Sequence, residues 1–327
     1  MSPCPIRGMR ARRLSEASRM PLVLEPATTE RSLAVLLDEP GQHATLEATL
    51  LEHGALLFRG FQVRDVADFE RFVSLTRWKH LDYTYRSTPR TPVTDKVLTA
   101  TEYPAELEIP LHNENSYQHL WPNKLALCCL RPAEAGGETP LADMRSVNAA
   151  LGERLLEKLE RRGIQYIRHY RAYFDLPWQT VFQTDDPGQM ARFCDTHGIQ
   201  HEWLDDGSLR TIQRSQGVTI HPVLRDRTFF NQAHLFHVSS LGEEGANALI
   251  ELFGRDRLPR HACFGDGSEI PSEDLAAIRG AFAGATILFG WRAGDILLLD
   301  NLQAAHGRRP YTGTRSVVAA LLDPAHS

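Results

Sequence analysis

The chain reads as an α+β protein on three grounds: short apolar strand-like runs towards both ends, longer stretches of helical period between them, and Gly or Pro at the joins. Ala55 to Phe61 reads as a strand, and Val66 to about Arg77 follows as a helix with Phe69, Phe72 and Val73 on one face. Leu125 to Leu130 is a second apolar strand. In Asn148 to Arg162, Leu151, Leu155, Leu156 and Leu159 fall at helical spacing and Gly163 ends the helix, so this stripe is core. Helices are expected at about Gly242 to Leu252 and Ser272 to Phe282. Asp295-Ile296-Leu297-Leu298-Leu299-Asp300 then reads as a buried strand. Strands at both ends with helices between fit a double-stranded β-helix, or jelly roll, carrying helical insertions.

Size and composition favour one enlarged domain. The 327 residues (36.8 kDa, 42% hydrophobic) suffice for a full core and hold no repeat or low-complexity tract. That domain is expected to span 21–327. The stretch from about 148 to 222 is expected as a helical insertion that covers a site. Residues 1–20 are Arg-rich and lack the apolar segment of a secretory signal, so they read as a disordered leader. Met20-Pro21-Leu22-Val23-Leu24 would serve as a start in its own right.

Several function classes are excluded. Net charge is −5 and the basic residues are dispersed, with Arg10 to Arg13 and Arg161-Arg162 the densest clusters, which leaves no footprint for nucleic acid. No apolar run approaches the roughly 18 residues of a membrane span. The five cysteines (Cys4, Cys128, Cys129, Cys194, Cys263) are odd in number and include no Cys-x-x-Cys pair, which fits a reducing cytoplasm. Of the adjacent pair Cys128 and Cys129, one is expected to face the core.

The chemistry concentrates in two distant segments. His112 and Glu114, two apart, project from the same face of an extended strand and can reach one ion. His306, after the buried strand, offers a third ligand. Two imidazoles and one carboxylate with open positions form the facial triad of non-haem Fe(II) oxygenases. If a 2-oxo acid with two carboxylates chelates the metal, its far carboxylate is buried and needs a partner, and Arg315 offers a guanidinium fork. The pattern alone is weak: 14 His and 41 Asp and Glu give about two His-x-acid matches by chance, and His80-Leu81-Asp82 is another.

Context separates the two. After Glu114 come Trp121-Pro122, the run Leu125 to Leu130, the turn Gly136-Gly137-Glu138-Thr139-Pro140 and a further strand. Near the other end Trp291-Arg292-Ala293-Gly294-Asp295 leads into Asp300-Asn301 and His306-Gly307-Arg308. This order resembles the taurine dioxygenase (TauD/TfdA) family of Fe(II)/2-oxoglutarate oxygenases from about Gly54 to Leu321. Leu111 to Glu114, Phe230-Asn231-Gln232-Ala233-His234 and Phe264-Gly265-Asp266-Gly267 look most like its syringomycin-type amino-acid hydroxylase branch.

The resemblance implies that His112, Glu114 and His306 bind iron, that Arg315 and Thr139 bind 2-oxoglutarate, and that O2 is the other co-substrate. It implies hydroxylation of an unactivated carbon of an amino acid or its derivative, free or held on a peptidyl carrier protein, in natural-product or antibiotic biosynthesis. Succinate and carbon dioxide would be released. Ala319 stands where taurine-type enzymes carry the Arg that binds sulfonate, which argues against a sulfonate substrate. Glu114 fills the position that halogenases leave small for chloride. Asn231, Arg86 and Asn113 are the candidate substrate contacts, whereas His221, His234, His237 and His261 read as structural. Two alternatives stay open: desaturation or epoxidation at the same centre, and a non-catalytic jelly roll that merely holds a metal. The sequence does not fix the oligomeric state.

Overall fold

The structure, a computed structural model, describes residues 4–326 except 17, 82–84, 86–89, 101–102 and 172–173. A seven-stranded sheet runs in the order Met9–Arg13, Leu22–Pro26, Ala55–Phe58, Ile296–Asp300, Leu120–Arg131, Ser316–His326, Leu98–Thr99. Its central strands carry the unbroken apolar runs Leu125 to Leu130 and Ile296 to Leu299 because both faces are covered. Ile296 and Leu298 face the helices Gln42–His53 and Val66–Leu75, where they meet Leu50, Phe69 and Phe72. Leu297 and Leu299 face the other way, against Leu141, Phe289 and Ala304. Cys128 and Cys129 follow the same alternation, so both are buried rather than one.

A second sheet, ordered Thr286–Ile287, Leu141–Asp143, Ala304–Arg308, Ile109–His112, packs beneath that inner face. Its strand Leu141–Asp143 feeds directly into the helix Met144–Arg162, capped by Asp143, whose carboxylate accepts from Arg145 N. That helix starts earlier than expected and is not continuous. Gly152 has φ 72° and ψ 161°, which breaks the helical path inside it.

Two expectations are corrected here. The stretch 148–222 is not mainly helical. Ile164–Tyr170, Gln200–Trp203 and Leu209–Ser215 form a sheet whose fourth strand, Arg260–Phe264, comes from beyond residue 222. Tyr166, Phe264, Leu275 and Phe282 join Leu155 and Leu159 in one core on the outer side of the second sheet.

Nor are the described residues before 21 a disordered leader. Met9–Arg13 pairs antiparallel with Leu22–Pro26, Met9 against Pro26 and Arg13 against Leu22, and Ile6, Met9 and Met20 are buried. Arg19 grips Asp143 with Nε and Nη2 at 2.7 and 2.9 Å and donates from Nη1 to Glu52 O. Arg10 and Arg12 alternate with buried Met9 and Ala11 and both lie within ion-pair distance of Glu25, so their charge does not oppose pairing. All five cysteines are free thiols, and no helix among the described residues is long and apolar enough to cross a membrane.

Candidate active site

The second sheet builds the site. His306, on Ala304–Arg308, lies directly opposite His112, on Ile109–His112, and the ring centroids are 4.6 Å apart. Glu114 follows two residues after His112 on the same side. Ligand atoms of the three lie within 4.8 Å of one another. The pairing of these strands shifts register between His306 and Arg308, and Gly307 permits it: a Cβ there would fall 2.5 Å from the Ile109 carbonyl oxygen.

The donor set fits a divalent metal. His112 donates from Nδ1 to the Pro110 carbonyl at 2.8 Å, which fixes the tautomer and leaves the Nε2 lone pair for a ligand. Burial lowers the His112 pKa against the opposing pull of Glu114, and burial with the neighbouring His112 charge lowers that of His306. Both imidazoles are therefore neutral, as ligation requires. His306 keeps Nδ1 buried without a partner among the described residues.

Arg315 fits an anion. Its Nε is buried with no partner among the described residues, and burial, reinforced by the Arg308 charge, lowers its pKa. A half-buried guanidinium in that state is stabilised by a carboxylate. Gly137, at φ 72°, lets the turn lie against it, since a Cβ would come 3.2 Å from Arg315 Cδ. Thr139 precedes the strand that pairs with His306 and accepts from Trp291 Nε1 at 2.9 Å, leaving its own hydroxyl hydrogen to donate.

A cavity of about 570 Å³ opens over His112 and Glu114. Its walls come from the Ile109 strand, the Gln232–Leu241 segment and the added sheet, including Asp175, Phe236 and Arg260. Asn231 is not among them. Its Nδ2 donates to Gly217 O at 2.7 Å and its Oδ1 accepts from Ala233 N at 3.0 Å, so the amide is spent on backbone; the next residue, Gln232, reaches the cavity. Asn113 is also corrected: strand alternation turns it away from His112 and Glu114, and it donates to Asn301 O at 2.6 Å. Arg86 lies outside the described residues, as does Asp82 of the second His-x-acid match.

Residues 21–321 match the Taurine catabolism dioxygenase TauD, TfdA family. The chain belongs to that family. It is accordingly an iron- and 2-oxoglutarate-dependent dioxygenase that uses O2, and the non-catalytic alternative falls away. Among curated relatives, the chain is 40% identical over 290 residues to the dapdiamide synthesis protein DdaC of Enterobacter agglomerans, covering 89% of this chain and 88% of that one. It is 29% identical over 287 residues to a clavaminate synthase-like protein of Arabidopsis thaliana, covering 84% and 83%. Among solved structures it resembles PvcB of Pseudomonas aeruginosa, with a TM-score of 0.57 at 17% identity over 99% and 96% of the two chains. It also resembles AAD-2, determined with Mn(II) and N-oxalylglycine, with a TM-score of 0.53 at 15% identity over 96% of each chain.

Several residues of this TauD/TfdA family site escape sequence reasoning. Asn301 holds the backbone of Glu114. Arg308 donates to the carbonyls of Tyr103, Pro104 and Leu107, pinning the loop that brings Tyr103 and Glu108 to the cavity. His221, just after the short strand Val218–Ile220, donates to Asp300 of the main sheet, which also receives Lys124 at 2.9 Å. His234 donates from Nε2 to the Leu111 carbonyl at 3.1 Å. Each of these two histidines thus spends a ring nitrogen on a hydrogen bond within the fold.

Proposed function

We propose that His112, Glu114 and His306 hold the iron, that Arg315 and Thr139 hold the far carboxylate of 2-oxoglutarate, and that the enzyme hydroxylates an unactivated carbon of an amino acid or amino-acid derivative. The observation that carries this reading is the cross-strand pair His112 and His306 with Glu114 beside it, opening onto a cavity of substrate size. Bound iron with 2-oxoglutarate supplies the oxidising power, with O2 consumed and succinate and carbon dioxide released. The chain's own residues orient and shield. Pro110 O sets the His112 ring, the Gly136-Gly137 turn gives Arg315 its place, and Phe236, Leu235 and Val238 keep one wall of the cavity dry. Gln232 and Arg260 give the cavity polar groups suited to the amide or carboxyl of an amino-acid derivative.

The two facing sheets are read as the halves of a double-stranded β-helix. The likeness to DdaC supports a role in natural-product biosynthesis, on a substrate either free or tethered to a carrier protein. The five free thiols fit a reducing cytoplasm. Anaerobic addition of Fe(II) and then 2-oxoglutarate to the apo-protein tests the cofactor assignment: a visible charge-transfer band is expected, and it weakens in His306→Ala and Arg315→Ala. No band in the wild type would sink the assignment. Product mass then tests the reaction, since hydroxylation adds one oxygen atom, whereas desaturation removes two hydrogens.

A further inference from the structure

One charged side chain of the cavity touches the proposed ligands themselves. Arg90 donates from Nη2 to Glu114 Oε2 at 2.7 Å, and the two side chains are only 4% and 5% exposed. The same Oε2 lies 3.6 Å from His306 Nε2. Removing two such charges from water offsets most of their attraction, so an ion pair at this depth is poorly explained by stability.

We propose that Arg90 is a positioning residue for Glu114. It orients the carboxylate so that one oxygen faces the two imidazoles, and it does so before any metal enters. A carboxylate oxygen has two lone-pair directions, so Oε2 can accept from Arg90 and still present the other to an ion. The side chain is then already ordered, and binding does not have to fix its rotamer. This inference rests on the ligand assignment above.

Arg90 could act in the opposite sense. A guanidinium beside the triad repels a dication, and if that effect dominated, Arg90 would be a competitor whose removal tightens metal binding. The sign of the change therefore decides.

The probe is Co(II), which is visible by absorption and does not oxidise during titration. It is added to the wild type, R90Q, R90K and E114A, with far-UV circular dichroism confirming that each is folded. R90Q is expected to bind Co(II) about 10- to 100-fold more weakly, the usual cost of losing a partner that orients a ligand. R90K keeps the charge but loses the planar fork, so it falls between R90Q and the wild type, and it carries the comparison if R90Q is unstable. Binding by both Arg90 variants that equals or exceeds the wild type overturns the proposal. If E114A binds as tightly as the wild type, Glu114 is not a ligand, and the assignment and this inference fail together.

Discussion

Asn301 and Glu114 are joined by a reciprocal pair of hydrogen bonds: Asn301 Oδ1 accepts from the Glu114 backbone N–H at 2.7 Å, and its Nδ2 donates back to the Glu114 carbonyl at 2.9 Å. The same Nδ2 reaches Pro122 O at 2.7 Å, so one side chain ties the ligand segment to the end of the central strand. Asn301→Ala is expected to cost at least about 2 kcal/mol, because it leaves buried donors and acceptors unmet. It should also weaken metal binding about tenfold. Urea unfolding and Co(II) titration of the same variant check both. Lost stability with unchanged metal affinity would reduce Asn301 to a structural tie.

Arg315→Ala is expected to raise the 2-oxoglutarate concentration needed for half-saturation by about tenfold or more, the worth of a charge-assisted hydrogen bond. The Fe(II) requirement should hardly move. Equal changes in both would count against the role given to Arg315.

Either His112→Ala or His306→Ala should abolish succinate formation from 2-oxoglutarate, and retained turnover in either would remove that residue from the ligand set. A second His and Glu cluster gives a contrasting expectation. His237, His261 and Glu269 also bring ligand atoms within 4.8 Å. His237 Nδ1, however, accepts from Ser239 N–H at 3.1 Å, so the neutral ring carries its hydrogen on Nε2, towards Glu269. One Co(II) per chain is expected, in the wild type and in His237→Ala alike. A second equivalent that disappears in His237→Ala would contradict this.

The added sheet should show an acid-limb dependence through Asp175. Arg168 and Arg260 sit opposite each other on paired strands and share this fully buried carboxylate. Burial pushes the Asp175 carboxyl up, but the two guanidinium groups hold it down at about 2. Its contribution is therefore complete above the unfolded carboxyl value near 3.9 and is lost as pH falls through about 2. The size is on the order of 2 kcal/mol. Unfolding free energies of the wild type and Asp175→Asn should converge over that window, and parallel curves would refute the linkage. At neutral pH the variant should be destabilised by about 3–5 kcal/mol, since Arg168 loses its buried partner.

What the sequence reveals depends on how local the information is. Ile296–Asp300 is legible because burial on both faces leaves an unbroken apolar run, and His112 with Glu114 because strand alternation sets them together. Arg90 and Asn301 are invisible for the opposite reason: each acts on Glu114 across 24 or 187 positions of chain, and nothing near either residue marks it. Asn231 and Gln232 differ by one step of backbone, and only the tertiary path decides which amide is spent on a turn. The missed strand Met9–Arg13 is another case. Buried Met9 and Ala11 do alternate with Arg10 and Arg12, but the density of arginine suggests a loose tail.

That outer strand has a practical consequence for any shortening of the chain. A polypeptide started at Met20 would lack both the strand that pairs with Leu22–Pro26 and the Arg19 fork on Asp143. It would expose a row of open backbone groups beside Leu22, Val23 and Leu24, an edge able to recruit a neighbouring chain. The arginine-rich strand thus works as a guard rail: it is the outermost strand of the sheet, its charges blunt that edge, and removing it would trade solubility for self-association.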